Sequence, residues 1–281
     1  MRRITPFAMA ALAGILLATT GCEGTIDRLK ANYAARQGND AYKANDFQRA
    51  IEWYRYANYL NPDLDLAYYH TALAYMAIYK PGSKHPKDVR YSKEAIANLL
   101  RYLRLQPTSE DAKNYLLTIY LQADRHAEAA EFFERELQRG ADDPAEASLL
   151  MQKIGMIYAK KGDFEQSLEW YKKRAEIEKD DPEALYTIGV LCWDKVYNGG
   201  LTLELDRRRE LIDMGLDYLG RANELREDYF EATSYVNLLY REKAKLAQIL
   251  GNNDEFVKFT QEADNNMKLA LEMRKRAMAN Q

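Results

Sequence analysis

The sequence predicts an all-α protein, on the strength of its composition and of a regular spacing. Alanine and leucine together number 71 of 281 residues, whereas the strand-favouring valine, isoleucine and threonine together number only 29. Pro62, Pro107, Pro144 and Pro182 follow one another at intervals of 45, 37 and 38 residues, which indicates a structural unit repeated along the chain. Charged residues make up 30% and hydrophobic residues 47%, a balance typical of globular proteins rather than disordered ones.

Small and aromatic residues recur at fixed positions between these prolines. In the first repeat, small residues at Gly38, Ala50 and Ala57 accompany the ring of Tyr54, and the same pattern occurs again from Gly155 onwards. It resembles the tetratricopeptide repeat, in which small residues let two antiparallel helices approach and rings fill the gaps beside them. The resemblance covers about residues 31–275. It implies a right-handed solenoid of about six helix–turn–helix repeats, in which many tyrosines serve packing: Tyr54, Tyr75, Tyr120, Tyr158, Tyr171 and Tyr240.

Repeats two, five and six are longer than the others. The first and last small positions lie 19 residues apart in repeats one, three and four, 30 apart in repeat two, and 33 apart in repeats five and six. The insertion of repeat two, residues 79–90, contains proline and glycine and is expected to form a loop. The insertions of repeats five and six are expected to lengthen their helices. Residues 254–279 are expected to form an amphipathic helix that caps the C-terminal end.

The N-terminal residues have the pattern of an export signal. Arg2 and Arg3 precede an apolar run that is shorter than the roughly 20 residues of a membrane-spanning helix. The run ends at Gly21 and Cys22, which resembles the lipobox of bacterial lipoproteins. This resemblance implies a signal peptide at residues 1–21, lipid attachment at Cys22, a tether at residues 22–30 and a repeat domain at residues 31–281. An ordinary secretory signal and an uncleaved anchor are the alternatives.

The resemblance to lipoproteins also implies a location. The protein would be lipid-anchored in the bacterial cell envelope and face the periplasm, and Glu23 after the cysteine favours the outer membrane.

In tetratricopeptide-repeat proteins the first helix of each repeat lines a concave groove that receives an extended peptide or a partner helix. Rings and methionines there would anchor apolar side chains of a ligand, and amides would bond its backbone. The alternatives are ordinary packing between helices, or coverage of the groove by the insertions. The candidate groove residues are Asn39, Tyr42, Tyr69, Leu73, Met76, Asn114, Leu121, Met156, Tyr186, Val190 and Trp193.

Two basic clusters accompany the insertions and form a candidate basic edge. The loop cluster consists of Lys80, Lys84, Lys87 and Arg90, and the arginine cluster consists of Arg207, Arg208 and Arg209. Such clusters on an anchored protein would contact lipid headgroups or an acidic partner. The alternative is that they are solvated charges of a loop and a helix start.

Catalytic and cofactor-binding patterns are absent from the sequence. The three histidines have no ligand partner at metal spacing, and no CxxC motif, phosphate-binding glycine loop or nucleophile elbow is present. Cys192 is expected to be a buried, inert thiol. A formal net charge of −3 gives no reason to propose nucleic-acid binding. We therefore expect neither an enzyme nor a bound cofactor.

The sequence thus predicts a membrane-anchored scaffold that mediates protein–protein interactions in the cell envelope, with protein or peptide partners of unknown identity. A pilotin-like or outer-membrane assembly accessory lipoprotein is a narrower version of this hypothesis, and it rests on fold-level analogy. A carrier of a small apolar ligand in the concave groove is an alternative from another class, which a closed pocket would favour.

Overall fold

A computed structural model describes residues 6–140 and 143–279, with the side chains of residues 6–23 and of residue 201 outside that description. The predicted all-α class is confirmed, because the described residues form twelve α-helices and one short 3-10 turn at Gly200–Thr202. The helices are α1 Pro6–Lys43, α2 Phe47–Leu60, α3 Asp65–Ile78, α4 Pro86–Leu105, α5 Glu110–Gln122, α6 His126–Arg139, α7 Pro144–Lys161, α8 Phe164–Ile177, α9 Pro182–Gly199, α10 Leu205–Leu225, α11 Phe230–Ile249 and α12 Asn253–Ala279.

The helices follow one another as the predicted two-helix repeats require, and contacts pair α1 with α2, α3 with α4, α7 with α8, α9 with α10 and α11 with α12. The chain divides into an N-terminal unit up to Glu128 and a C-terminal unit from Ala129. The predicted lipid-attachment residue, Cys22, falls within α1, but its side chain is outside the described residues. Within residues 6–140 and 143–279, no helix combines the length and the apolar character that crossing a membrane requires.

Glycines at the predicted small positions allow close approach of paired helices. A Cβ atom on Gly38 would lie 2.5 Å from the ring of Tyr54, and one on Gly155 would lie 3.0 Å from the ring of Tyr171. Both distances are shorter than a normal van der Waals contact, so each ring occupies the space that the missing side chain leaves. The predicted pairing of a small residue with a ring is therefore confirmed in both units.

Short turns join the two helices of repeats one, three and four. Each turn contains a residue in the left-handed region, namely Asn45 with φ 59°, Asp124 with φ 58° and Gly162 with φ 83°. In repeats one and four an aspartate then caps the second helix, as predicted. The carboxylate of Asp46 accepts a hydrogen bond from the backbone N–H of Arg49 at 3.2 Å.

The inserted residues of the long repeats are mostly helical. In repeats five and six they lengthen α10, α11 and α12, as predicted. In repeat two the expected loop over residues 79–90 is wrong in part, because α4 already begins at Pro86. Proline is tolerated in the first turn of a helix, where its missing N–H would have no helical partner, so its presence did not require a loop.

Candidate functional site

Three predicted groove residues of the N-terminal unit share one face of α3. Tyr69, Leu73 and Met76 are spaced so that their side chains line up, and each is half-buried. The ring of Tyr69 lies 5.0 Å from that of Tyr102 on α4 and 6.0 Å from that of Tyr115 on α5, measured between centroids. Tyr69, Leu73, Met76 and Tyr115 are called the N-terminal aromatic face below. Of the remaining candidates on α5, Asn114 is exposed and Leu121 is half-buried.

The two groove candidates of repeat one also contact their own repeat. The side-chain oxygen of Asn39 accepts a hydrogen bond from the Tyr54 hydroxyl at 2.8 Å. The ring of Tyr42 packs edge-on against Phe47, with centroids 5.1 Å apart. Ordinary packing between helices, the alternative to a groove role, accounts for both of these contacts.

The C-terminal unit carries a larger aromatic face. Tyr186, Val190 and Trp193 are half-buried on α9, and Tyr235 of α11 lies edge-on to both rings, 5.7 Å from Tyr186 and 5.2 Å from Trp193. Tyr197, which is 57% exposed, stacks on Trp193 at 5.1 Å. These five residues are called the C-terminal aromatic face. The remaining candidate of this unit, Met156, is half-buried on α7.

An equivalent tyrosine pair occurs in both aromatic faces. Tyr69 and Tyr186 stand three residues before the small position of their first helices, and their partners Tyr115 and Tyr235 stand two residues before the corresponding position of the next repeat. Sequence reasoning found the first member of each pair and missed the second. Tyr115 and Tyr235 occupy the same position in their repeats, and this shared spacing could have identified them. The groove residues were chosen because they lie on one face of a single helix, and that criterion does not show contacts between successive repeats.

The tyrosine pairs have a common electrostatic character. Burial, and then the neighbouring tyrosine of each pair, raise the pKa of Tyr69 and of Tyr186 to about 12. Both hydroxyls are therefore protonated over the whole neutral range and can donate hydrogen bonds to a carbonyl group of a ligand.

The arginine cluster is neutralised by acidic partners within the C-terminal unit. Arg207 reaches Glu165 on α8 at 2.6 Å and Glu210 at 2.7 Å between side-chain nitrogen and oxygen atoms. Arg209 lies 3.7 Å from Asp206. The assignment of Arg208 to an exposed edge is wrong. Its side chain is buried, pairs with Glu242 at 3.4 Å and donates a hydrogen bond to the carbonyl of Gly200.

The loop cluster has no such partners. Lys80, Lys84, Lys87 and Arg90 are exposed at the end of α3 and the start of α4. Among the residues that the structure describes, no carboxylate lies within ion-pair distance of any of the four. The cations of the two predicted clusters therefore differ in their availability to a ligand.

The cysteine and the histidines do not form a reactive centre in the described part of the chain. Cys192 is fully buried, as predicted, and burial raises the pKa of its thiol to about 12, which keeps it protonated. His70 stacks against Tyr54 at 5.6 Å, and burial lowers its pKa. Over residues 6–140 and 143–279, no group of three or more histidine, cysteine or acidic side chains is arranged to hold a metal ion.

Comparison with known proteins identifies the repeat and curated relatives of this chain. The family model described as tetratricopeptide repeat matches residues 150–185, which include most of α7 and all of α8. The photosystem I assembly protein Ycf3 of Rippkaea orientalis is 30% identical over 148 residues, which are 50% of this chain and 83% of that protein. Its counterpart in Acaryochloris marina is 31% identical over 81 residues, which are 29% of this chain and 49% of that protein. The chain thus spans about half the length of the Acaryochloris protein.

Among solved structures, a tetratricopeptide-repeat protein of Bacteroides fragilis is similar to this chain with a TM-score of 0.45 and 17% sequence identity. The match covers 76% of this chain and 98% of the Bacteroides protein.

Proposed function

Since the chain belongs to the tetratricopeptide-repeat family, we propose that it is a scaffold that binds partner proteins through its two aromatic faces and is held at a membrane by a lipidated Cys22. The observation that carries this proposal is the repeated tyrosine pair, Tyr69 with Tyr115 and Tyr186 with Tyr235. The pairs stand on the first helices of their repeats and are only partly buried.

The chemistry of the aromatic faces suits a protein ligand. Rings beside Leu73, Met76 and Val190 offer apolar surface, which anchors aliphatic or aromatic side chains of a partner. Protonated tyrosine hydroxyls within the same surface can donate hydrogen bonds to the carbonyl groups of an extended backbone. An apolar anchor next to a hydrogen-bond donor is the combination that peptide recognition requires.

The curated relatives support a role in assembling other proteins. Both carry the name of an assembly protein, and in their case the assembled complex is photosystem I. We carry over only the class of activity, the bringing together of protein subunits, and not the complex itself.

The location rests on the sequence. The charged start, the apolar run and the small residue before Cys22 favour a lipoprotein that faces the periplasm, and Glu23 favours the outer membrane. A lipid anchor would keep the aromatic faces close to the membrane and so limit the partners to proteins of the envelope.

A photo-crosslinking experiment tests the binding role. A benzoylphenylalanine side chain is placed at Tyr115 or at Tyr197, one position on each aromatic face, and the full chain is irradiated in intact cells. The matched control is Tyr59 on α2, a tyrosine that is 81% exposed and belongs to neither face. We expect the same protein partners to be captured from an aromatic face and not from Tyr59. Equal capture from Tyr59, or capture of only a small apolar molecule from the faces, would contradict the scaffold role.

A labelling experiment tests the anchor separately. The full chain is expressed with an alkyne-bearing fatty acid, and the Cys22→Ala variant is expected to lose both the label and the membrane fraction. Cys192→Ala is the control, because it removes the other cysteine, which is buried in α9. A label that persists in Cys22→Ala and disappears in Cys192→Ala would rule out the anchor while leaving the aromatic faces untouched.

A further inference from the structure

The loop cluster borders a cleft in the N-terminal unit. The cleft has a volume of about 500 Å³ and lies where the end of α3 and the start of α4 meet the first turn of α2. Lys80, His85 and Lys87 line it from the loop and from the first turn of α4. The ammonium groups of Lys80 and Lys87 therefore reach the same space, one from the loop and one from the first turn of α4.

The acidic group in the cleft wall is engaged in holding the loop. Asp88 is largely buried, and its carboxylate accepts a hydrogen bond from the hydroxyl of Ser83 at 2.6 Å. No ion pair joins Asp88 to Lys80 or to Lys87 in the described part of the chain. The positive charges of Lys80 and Lys87 are thus available to a ligand. They outnumber the single negative charge of Asp88 in the cleft wall.

Tyr91 lines the floor of the cleft, and its pKa responds to the positive charges around it. The hydroxyl of Tyr91 accepts a hydrogen bond from the Gln48 amide at 2.8 Å, and the Lys87 ammonium stands 5.6 Å from the centre of its ring. Burial by itself raises the pKa of Tyr91. Hydrogen bonds from Lys87 and Gln48, together with the charges of Lys87 and Arg90, outweigh burial and lower it below the ordinary value.

From this geometry we propose that the cleft beside the loop cluster binds a phosphate ester. The lysine ammonium is a compact charge with three donors, and two such groups around a common space suit the several oxygens of a phosphate group. The guanidinium fork of arginine matches carboxylate and phosphate alike, and no arginine lines this cleft, so the two ammonium groups would hold the ligand by charge. The volume exceeds that of a bare phosphate ion and leaves room for the esterified group.

A phosphate ester reaches such a site either as a lipid headgroup or as a soluble metabolite, and the test separates these two sources. Binding to the purified full chain in a non-ionic detergent is measured by calorimetry at about 50 mM salt, where screening is weak. The probes are glycerol 3-phosphate, a short-chain phosphatidylglycerol and a glutamate-rich peptide.

The variant is Lys80→Ala/Lys87→Ala, and the matched control is Lys160→Ala/Lys179→Ala, which removes the same charge from exposed positions of the C-terminal unit. We expect the affinity for a phosphate ester to fall about tenfold or more in the variant and to stay unchanged in the control. Binding of both ester probes supports the proposal for either source, and binding of phosphatidylglycerol alone supports it with a lipid as the source.

Two results would overturn the proposal. One is equal affinity for the phosphate esters in the variant and in the control. The other is lysine-dependent binding of the glutamate-rich peptide without binding of either ester, which would make the site a carboxylate site. Both lysines are exposed and outside the core, so a loss of binding through unfolding is not expected, and a circular dichroism spectrum checks this.

Discussion

The loop cluster and the arginine cluster look alike in the sequence and differ in the folded protein. Both are short runs of basic residues that accompany an insertion between the two helices of a repeat. The arginines lie on the first turns of α10, where α8 and α11 supply Glu165 and Glu242 as partners. The loop cluster lies beside a cleft and has no carboxylate within ion-pair distance among the described residues. The arginine cluster thus stabilises the packing of helices, whereas the loop cluster remains available to a ligand.

The largest expected effect comes from the buried member of the arginine cluster. Arg208→Met should lower the free energy of unfolding by about 3 kcal/mol, because removal of one partner leaves the other charge buried. This value is at the lower end of the usual range for the loss of one partner of a buried ion pair. Lys245 also pairs with Glu242, at 2.7 Å, and so partly compensates its charge when Arg208 is removed. Urea unfolding followed by circular dichroism measures the change, with the exposed Arg209→Met as control. Equal losses in the two variants would contradict a structural role specific to Arg208.

A smaller effect is expected at Arg207. Its pair with Glu165 joins α8 and α10 but is partly open to solvent, so Arg207→Gln should cost about 0.5–1 kcal/mol. A double-mutant cycle with Glu165→Gln isolates the coupling between the two side chains. The coupling should shrink at about 1 M salt, where charges are screened within about 3 Å. A coupling that does not respond to salt would show that packing, and not charge, links the two helices.

The loop cluster should contribute almost nothing to folding. Lys80→Ala/Lys87→Ala is expected to change the free energy of unfolding by less than about 0.5 kcal/mol, the usual range for exposed substitutions without a specific partner. The same urea experiment checks this expectation. A decrease of more than about 1 kcal/mol in the free energy of unfolding would show that these lysines stabilise the fold, as Arg208 does. The two clusters would then not differ in the way proposed.

The smallest effect concerns the titration of Tyr91. Lys87→Gln removes a hydrogen bond and a positive charge, so the pKa of Tyr91 should rise from its lowered value. Because the folded-state pKa is lowered, ionised Tyr91 adds stability above the pKa of an unfolded tyrosine, and this contribution is lost as the pH falls through the folded value. The difference in alkaline absorbance between the wild type and Tyr91→Phe isolates this group. An unchanged titration in Lys87→Gln would contradict a positive field from the loop cluster.

The sequence carried most of the information on helix pairing. The close approach at Gly38 and Gly155 follows from small residues and rings at fixed spacing, and the structure has both contacts. The start of α4 did not follow in the same way, because proline is compatible with a loop and with the first turn of a helix. The partners Tyr115 and Tyr235 were missed since they belong to the following repeat, beyond the one-helix periodicity used to select groove residues.

The sequence by itself determined the helical class, the six repeats and the lengthened helices of repeats five and six, because these depend on patterns within a few turns of chain. Only the tertiary structure decided which charges are neutralised. Arg207 meets Glu165 across 42 positions, and Arg208 meets Glu242 across 34. Such pairs form when stacked helices bring distant residues together, and they depend on how each helix is rotated about its axis. Small residues and rings at regular spacing therefore predict the fold, whereas the free or paired state of a charge is a property of the packed protein.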